Sequence, residues 1–330
     1  MEDDSSNLKV RLRRLLDYGD RPWNVLIICM AILIIAVMVS IGFLLWKDST
    51  NAQSEFGWKF ILPTLEASWN PVQDKFQSWP FIFGTLLTSI VALSMALPVS
   101  IGIAIFLAEL SPAWMRLPLS WMIELLAAIP SVVYGLWGIF IFLPQIVTPV
   151  GNFLAETLGH APLLSLLFLG PIQASGSSRL AAALILTIMI TPTIAAVTRD
   201  VFLAIPQAQR EASLALGATQ WETIWQVLVP YGLSGILGAV ILGLGRALGE
   251  TMAVTMVIGN SIEGSFSLLR PGYTMSSIIA NEFAEAVSQL HTEALIEIGL
   301  ILFIITLLLN MVARFLVWRV ARRTPQEARA

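Results

Sequence analysis

Six long apolar runs decide what this chain can fold into. They cover approximately Asn24–Trp46, Phe81–Ala108, Met122–Leu143, Leu180–Val197, Leu233–Ile258 and Ala294–Val317. About 20 apolar residues in a helix cross the hydrocarbon core of a bilayer. A backbone in lipid must satisfy its own hydrogen bonds, which leaves helices or closed barrels. With 56% hydrophobic and 12% charged residues over 330 positions, a soluble globular fold is excluded. The expected fold is an all-α integral membrane protein with six transmembrane helices. The first run is too long for a signal-peptide core and lacks a small-residue cleavage site, so it is expected to stay as an anchor.

Lysine and arginine placement sets the orientation. With the N-terminus inside, 13 of these residues fall in inner segments and 5 in outer ones, with Arg246 inside a span. Both termini and the segment 199–232 are then expected in the cytoplasm. The basic stretch Lys9–Arg14 is read as a flank beside anionic lipid rather than a nucleic-acid site. A single cysteine, Cys29, excludes internal disulfides and cysteine metal clusters, and two histidines, His160 and His291, argue against a histidine-based metal site.

The cytoplasmic segment Pro206–Pro230 reads as helix, stop, helix. Gln207–Leu216 is rich in helix formers, and Gly217 sits where a left-handed residue would end the helix. Thr219 and Glu222 form a T-x-x-E capping box for a second helix to Val229, which Pro230 stops or kinks. The turn of such a hairpin would leave backbone groups unpaired in lipid, so the hairpin belongs on an aqueous face. It would pack between lipid headgroups or be gripped by a partner.

The fifth run carries two charges, Arg246 and Glu250. Each must face protein or water, because a charge at that depth costs a few kcal/mol or more. At about 100° per residue, Gly235, Ala239, Gly243, Arg246, Glu250, Ala253 and Val257 share one face, with bulky apolar residues opposite. The small residues allow close approach of another helix. Arg246 and Glu250, four residues apart on a continuous helix, are expected to reach each other. The pair either fixes helix packing or lines the passage of an anion.

Two sets of residues carry a family resemblance. E-A-S-x-x-x-G at Glu211–Gly217, followed by L-V-P ending at Pro230, resembles the coupling loop of ABC-importer permeases, with Ser213 replacing the usual second alanine. G-R-A-L-G-E-T-M-A-V-T-M-V-I-G-N (Gly245–Asn260), Gly84–Leu110 and Ala127–Gly138 resemble the PstC-type permeases of phosphate importers. The likeness covers most of residues 80–318, while the N-terminal flank and the loop 48–79 match only loosely. The resemblance implies a type I ABC importer permease fold, with the transmembrane domain at 81–318, the coupling loop at 206–230 and a cytoplasmic tail at 319–330. It further implies a sister permease of the PstA type, a cytoplasmic ATPase of the PstB type and an extracytoplasmic phosphate-binding protein of the PstS type. Glu211, Ala212, Gly217 and Pro230 would engage the ATPase, while Arg246 and Glu250 would line the substrate pathway. No cofactor would reside in this chain, ATP and magnesium being held by the ATPase. The location would be the inner membrane. Tungstate, molybdate or sulfate are the alternative substrates.

Other chemistry finds no residues. No lysine follows a glycine, so a Walker A cradle is absent, as are H-E-x-x-H and G-x-S-x-G. A secondary transporter would need no docking hairpin and often has paired interrupted helices, which are not expected here. Trp58, Trp69 and Trp79 in the outer loop read as interfacial anchors or a docking surface. The loop 144–179 is expected to hold an interfacial or re-entrant helix. Pro130 and Pro192 are expected to act as hinges or kinks. Thr85, Thr88, Ser89 and Ser131 are candidates to bond an anion or a backbone carbonyl. Glu282 and Glu285 read as a solvated face.

Overall fold

The apolar runs form helices and the described residues hold no sheet, only the isolated bridges Asn70–Lys75 and Gly259–Gly272. The computed structural model describes residues 20–63, 69–159, 165–262 and 265–321. The basic stretch Lys9–Arg14 and most of the expected tail 319–330 lie outside them. Among the described residues, six helical segments are long and apolar enough to cross a membrane: Trp23–Asp48, Trp79–Leu110, Ser131–Leu158, Arg179–Leu203, Gln220–Gly249 and Gln289–Arg319. The chain is a multi-pass membrane protein.

In chain order, α1 is Asp20–Asp48, α2 Thr50–Phe56 and α3 Trp79–Ile105, which continues as a π-helical turn, Phe106–Leu110. Next come α4 (Ala113–Ala128), α5 (Ser131–Trp137), a π-helical stretch Gly138–Val147 and α6 (Thr148–Leu158). Then follow α7 (Arg179–Leu203), α8 (Gln207–Ala215) and α9 (Gln220–Thr223), with a π-helical turn Ile224–Leu228 leading into α10 (Val229–Gly249). The chain closes with α11 (Met252–Val257), α12 (Met275–Glu282) and α13 (Gln289–Ala321).

The centre of the bundle is the α3–α7 pair. Ala92, Ala96, Ala181 and Ala182 are fully buried and let the two backbones approach. Hydroxyls reach across the contact: Ser100 Oγ donates to the Thr191 carbonyl at 3.1 Å and Thr187 Oγ1 to that of Ala92 at 3.3 Å. α7 runs unbroken through Pro192. Against α7 lies α10, whose small-residue face behaves as expected. A side chain at Gly243 would meet Ile194 at 2.6 Å, one at Gly235 would overlap Val201, and Ala239 is fully buried. α1 packs along α13, with Phe303 over Gly42 and Leu45 beside Gly299, and its other residues from 23 to 48 are exposed.

Two expected spans differ. The run Met122–Leu143 is divided at Ile129–Pro130, where the backbone is extended, so α4 ends there and the crossing segment is Ser131–Leu158. Proline lacks the N–H that a continuous helix needs and biases the preceding residue toward extended geometry. Pro130 is therefore a boundary rather than a kink. The run Leu233–Ile258 breaks at Glu250, which is extended with ψ 124°. Pro230, by contrast, does not stop its helix. The π turn at 224–228 widens the coil just before the proline, where an α turn would press the ring on the carbonyl of Gln226. Among the described residues of loop 144–179, α6 continues the third span and 165–178 form no helix, while 160–164 lie outside the described residues.

Among the described residues of loop 48–79, the tryptophans do not all behave as interfacial anchors. Trp69 is buried, with Nε1 donating to Glu282 Oε2 at 2.7 Å, whereas Trp58 is exposed. Glu282 also meets His291 Nε2 at 3.0 Å, so it is a buried-network acceptor and only Glu285 is a solvated face. Thr85 and Thr88 bond the carbonyls of Phe81 and Gly84, and Thr85 Oγ1 also accepts the Met275 N–H at 2.8 Å. These hydroxyls serve the backbone. Ser89 Oγ is buried without a partner among the described residues.

Candidate functional site

The hairpin forms as its residues require. α8 ends at Ala215 with Leu216 as its C-cap, and Gly217 takes φ +88°, the left-handed conformation that a side chain disfavours. The capping box closes both ways: Thr219 N donates to Glu222 Oε2 at 2.8 Å, and Glu222 N to Thr219 Oγ1 at 3.2 Å. Ser213 bonds Thr223 Oγ1 at 2.9 Å, so the serine in place of alanine fastens the two helices together. Glu211, Ala212 and Gly217 are exposed, Leu216 at the tip is 90% exposed, and Glu211 has no partner among the described residues. Pro230 is exposed at the start of α10, apart from this tip.

Arg246 sits in the last turn of α10. Its Nη1 donates to Thr193 Oγ1 on α7 at 3.0 Å and to the Ala127 carbonyl at 3.3 Å. Ala127 lies in the last turn of α4, whose final carbonyls have no partner within the helix and carry its negative dipole end. Tyr134 Oη takes the neighbouring carbonyl of Leu126 at 2.9 Å. Arg246 thus caps a helix that stops inside the bundle. Its Nε and Nη2 meet no acceptor among the described residues, and the side chain is only half-buried.

The expected ion pair is absent. Arg246 and Glu250 form no salt bridge, because the helix that would set them one turn apart ends between them. Glu250 Oε1 instead accepts the Ala253 N–H at 3.3 Å, capping α11. Its carbonyl, which a continuous helix would give to Val254, takes the hydroxyl of Ser276 at 2.8 Å. The break is stable because both backbone groups find partners. α11 then packs on α5, where a side chain at Gly135 would meet Met256 at 2.5 Å and Cα of Ala253 at 3.3 Å. Two interrupted helices thus meet beside the arginine, which apolar periodicity did not announce. Thr193 and the α4 terminus are further site components that sequence reasoning missed. Thr193, in I-T-P-T beside Pro192, was visible only as part of a kink signal.

Residues 100–325 match the family described as binding-protein-dependent transport system inner membrane component. The phosphate transport system permease protein PstC of Pasteurella multocida is 47% identical over 292 residues, 88% of each chain. That of Mesorhizobium japonicum is 45% identical over 294 residues, 89% of this chain and 88% of its own. Among solved structures, a bacterial ABC transporter involved in the import of the acidic polysaccharide alginate superposes with a TM-score of 0.56 at 14% identity, covering 94% of this chain and 100% of that one. That likeness concerns the fold. The type I importer permease fold and the level of identity lead to one statement: the chain belongs to the binding-protein-dependent transport system inner membrane components, among their PstC-type permeases.

Proposed function

We propose that this chain forms half of the translocation pathway of an ATP-driven importer for inorganic phosphate. A PstA-type sister permease supplies the other half, a PstB-type ATPase grips the hairpin from the cytoplasm, and a PstS-type protein delivers phosphate from outside. ATP and magnesium belong to the ATPase, and this chain hydrolyses nothing. Both termini lie in the cytoplasm of a cell bounded by the inner membrane, consistent with the excess of lysine and arginine in the inner segments.

The observation that carries the reading is the guanidinium of Arg246, anchored through Nη1 while Nε and Nη2 meet no acceptor among the described residues. A planar fork of free donors matches two oxygens of a tetrahedral oxyanion. An anion that displaces no existing ion pair keeps the full attraction of the charge. Glu250, freed from Arg246, has one carboxylate oxygen without a partner among the described residues. It accepts the P–OH proton that phosphate retains near neutral pH and repels sulfate, which has none. Glu211, Ala212 and Gly217 present the exposed tip on which the ATPase acts, and Pro230 marks where the hairpin joins α10. Other tetrahedral oxyanions, tungstate, molybdate or sulfate, are the second reading.

The test is uptake of radiolabelled phosphate by proteoliposomes holding this chain with its ATPase and sister permease, with binding protein outside. Arg246→Gln is expected to abolish ATP-dependent uptake while the complex still assembles. Preference for sulfate or molybdate would replace the substrate, and uptake without ATP would overturn the importer reading.

A further inference from the structure

The ion pair between Arg210 and Glu109 joins residues 101 positions apart. Arg210 stands on α8, next to the exposed Glu211, but its side chain turns the other way, into the bundle. Nη2 and Nε both reach Glu109 Oε1, at 2.7 and 3.1 Å, and Nε also approaches Oε2 at 3.2 Å. The remaining donors go to the end of α7: Nη1 to the Ile205 carbonyl at 2.6 Å and Nη2 to that of Phe202 at 2.7 Å. Phe202 lies in the last turn of α7, where its carbonyl also takes the Ile205 N–H at 3.2 Å, and Ile205 lies just beyond the helix end. Both charged side chains are largely buried, 18% and 15% exposed. Around them lies an apolar junction of Ala104, Ile105, Ala108, Phe202, Ile224 and Leu228.

One side chain of the hairpin therefore holds the ends of α3 and α7 together, the two helices at the centre of the bundle. Apolar contacts at the junction allow sliding, because they have no preferred direction. A guanidinium fork on a carboxylate does not, since its donors fit one planar orientation. A displacement of the hairpin must either carry Glu109 with it or break a buried charge pair, which leaves an uncompensated charge behind. We infer that the Arg210–Glu109 pair is the joint that makes α3 move when the hairpin moves, with Glu109 as a positioning residue for transport. This inference rests on the proposed coupling of the hairpin to an ATPase.

The experiment uses the whole importer in proteoliposomes and reads phosphate imported per ATP hydrolysed. Glu109→Ala is expected to co-purify with the ATPase and to hydrolyse ATP within about twofold of the wild type, while phosphate per ATP falls about tenfold or more. Wild-type coupling in E109A would overturn the joint. A second chain, C29S/E109C/R210C, keeps the inference falsifiable if E109A fails to assemble. Bridging its two thiols with a short bifunctional reagent is expected to raise phosphate per ATP severalfold over the unbridged protein, and equal coupling in both forms would overturn it. A separate arm places a thiol cross-linker at L216C on the hairpin tip. Cross-linking to the ATPase supports the docking on which the joint depends, and its failure sinks the coupling reading itself, whatever Glu109 does.

Discussion

Thr193→Val is the perturbation that tests the arginine site most cleanly. Valine keeps the branched shape of threonine and removes only the oxygen that accepts the Arg246 Nη1 bond at 3.0 Å. A hydrogen bond to a charged group contributes about 1.5–3 kcal/mol. The Ala127 carbonyl stays in place at 3.3 Å and retains part of the anchoring, so the loss falls near the lower end, about 1.5 kcal/mol. At about 1.4 kcal/mol per factor of ten, a guanidinium that is aimed only part of the time lowers transport roughly tenfold. The assay is phosphate uptake by the reconstituted importer across a range of phosphate concentrations. T193V should lower the maximal rate and leave the half-saturating concentration unchanged, because capture from outside belongs to the binding protein. Thr193→Ser, which keeps the hydroxyl, should stay near the wild type. T193V within twofold of wild type, or T193S as slow as T193V, would refute the anchoring role.

Two further measurements address packing and the hairpin. A side chain at Gly84 would overlap the carbonyl oxygen of Tyr273, whereas one at Gly102 meets nothing within 4 Å. Gly84→Ala should therefore cost at least about 1–3 kcal/mol by overpacking, and Gly102→Ala should be neutral or stabilise by up to about 1 kcal/mol. Thermal unfolding in detergent separates them, and equal melting temperatures would contradict the close approach. Ser213→Ala removes the bond to Thr223 and should loosen the hairpin by about 0.5–1.5 kcal/mol. Hydrogen exchange at the α9 amides reads this, and unchanged protection would count against the bond.

What could be read from the chain alone was what depends on near neighbours. Gly217, Thr219 and Glu222 act within a few residues of each other, and each behaves as its type demands. The Gly235–Ala239–Gly243 face was legible because α10 is regular across it. The Arg246–Glu250 pair failed for the complementary reason. Periodicity presumes a continuous helix, and the interruption at Glu250 is held by Ser276, 26 residues later, and by α11 resting on α5. Pro130 carried a true signal, but only the packing of α11 on α5 decides whether a proline bends a helix or ends it. Glu109 gave no sign, since nothing local distinguishes a carboxylate near a span end from one held by an arginine on a distant helix.

The π-helical turns bear on how the length of this chain can vary. Within α10, removing one residue turns everything beyond it by about 100°, which would swing Arg246 away from Thr193 and Ala127. The turn at Ile224–Leu228 already holds a residue more than an α turn needs. Shortening it by one lets the coil tighten to an α turn while the hairpin before it and the arginine after it keep their facing. A one-residue deletion is thus expected to be absorbed at 224–228 and not within α10. This chain, shortened at that turn, would still present the same side chains to the same neighbours.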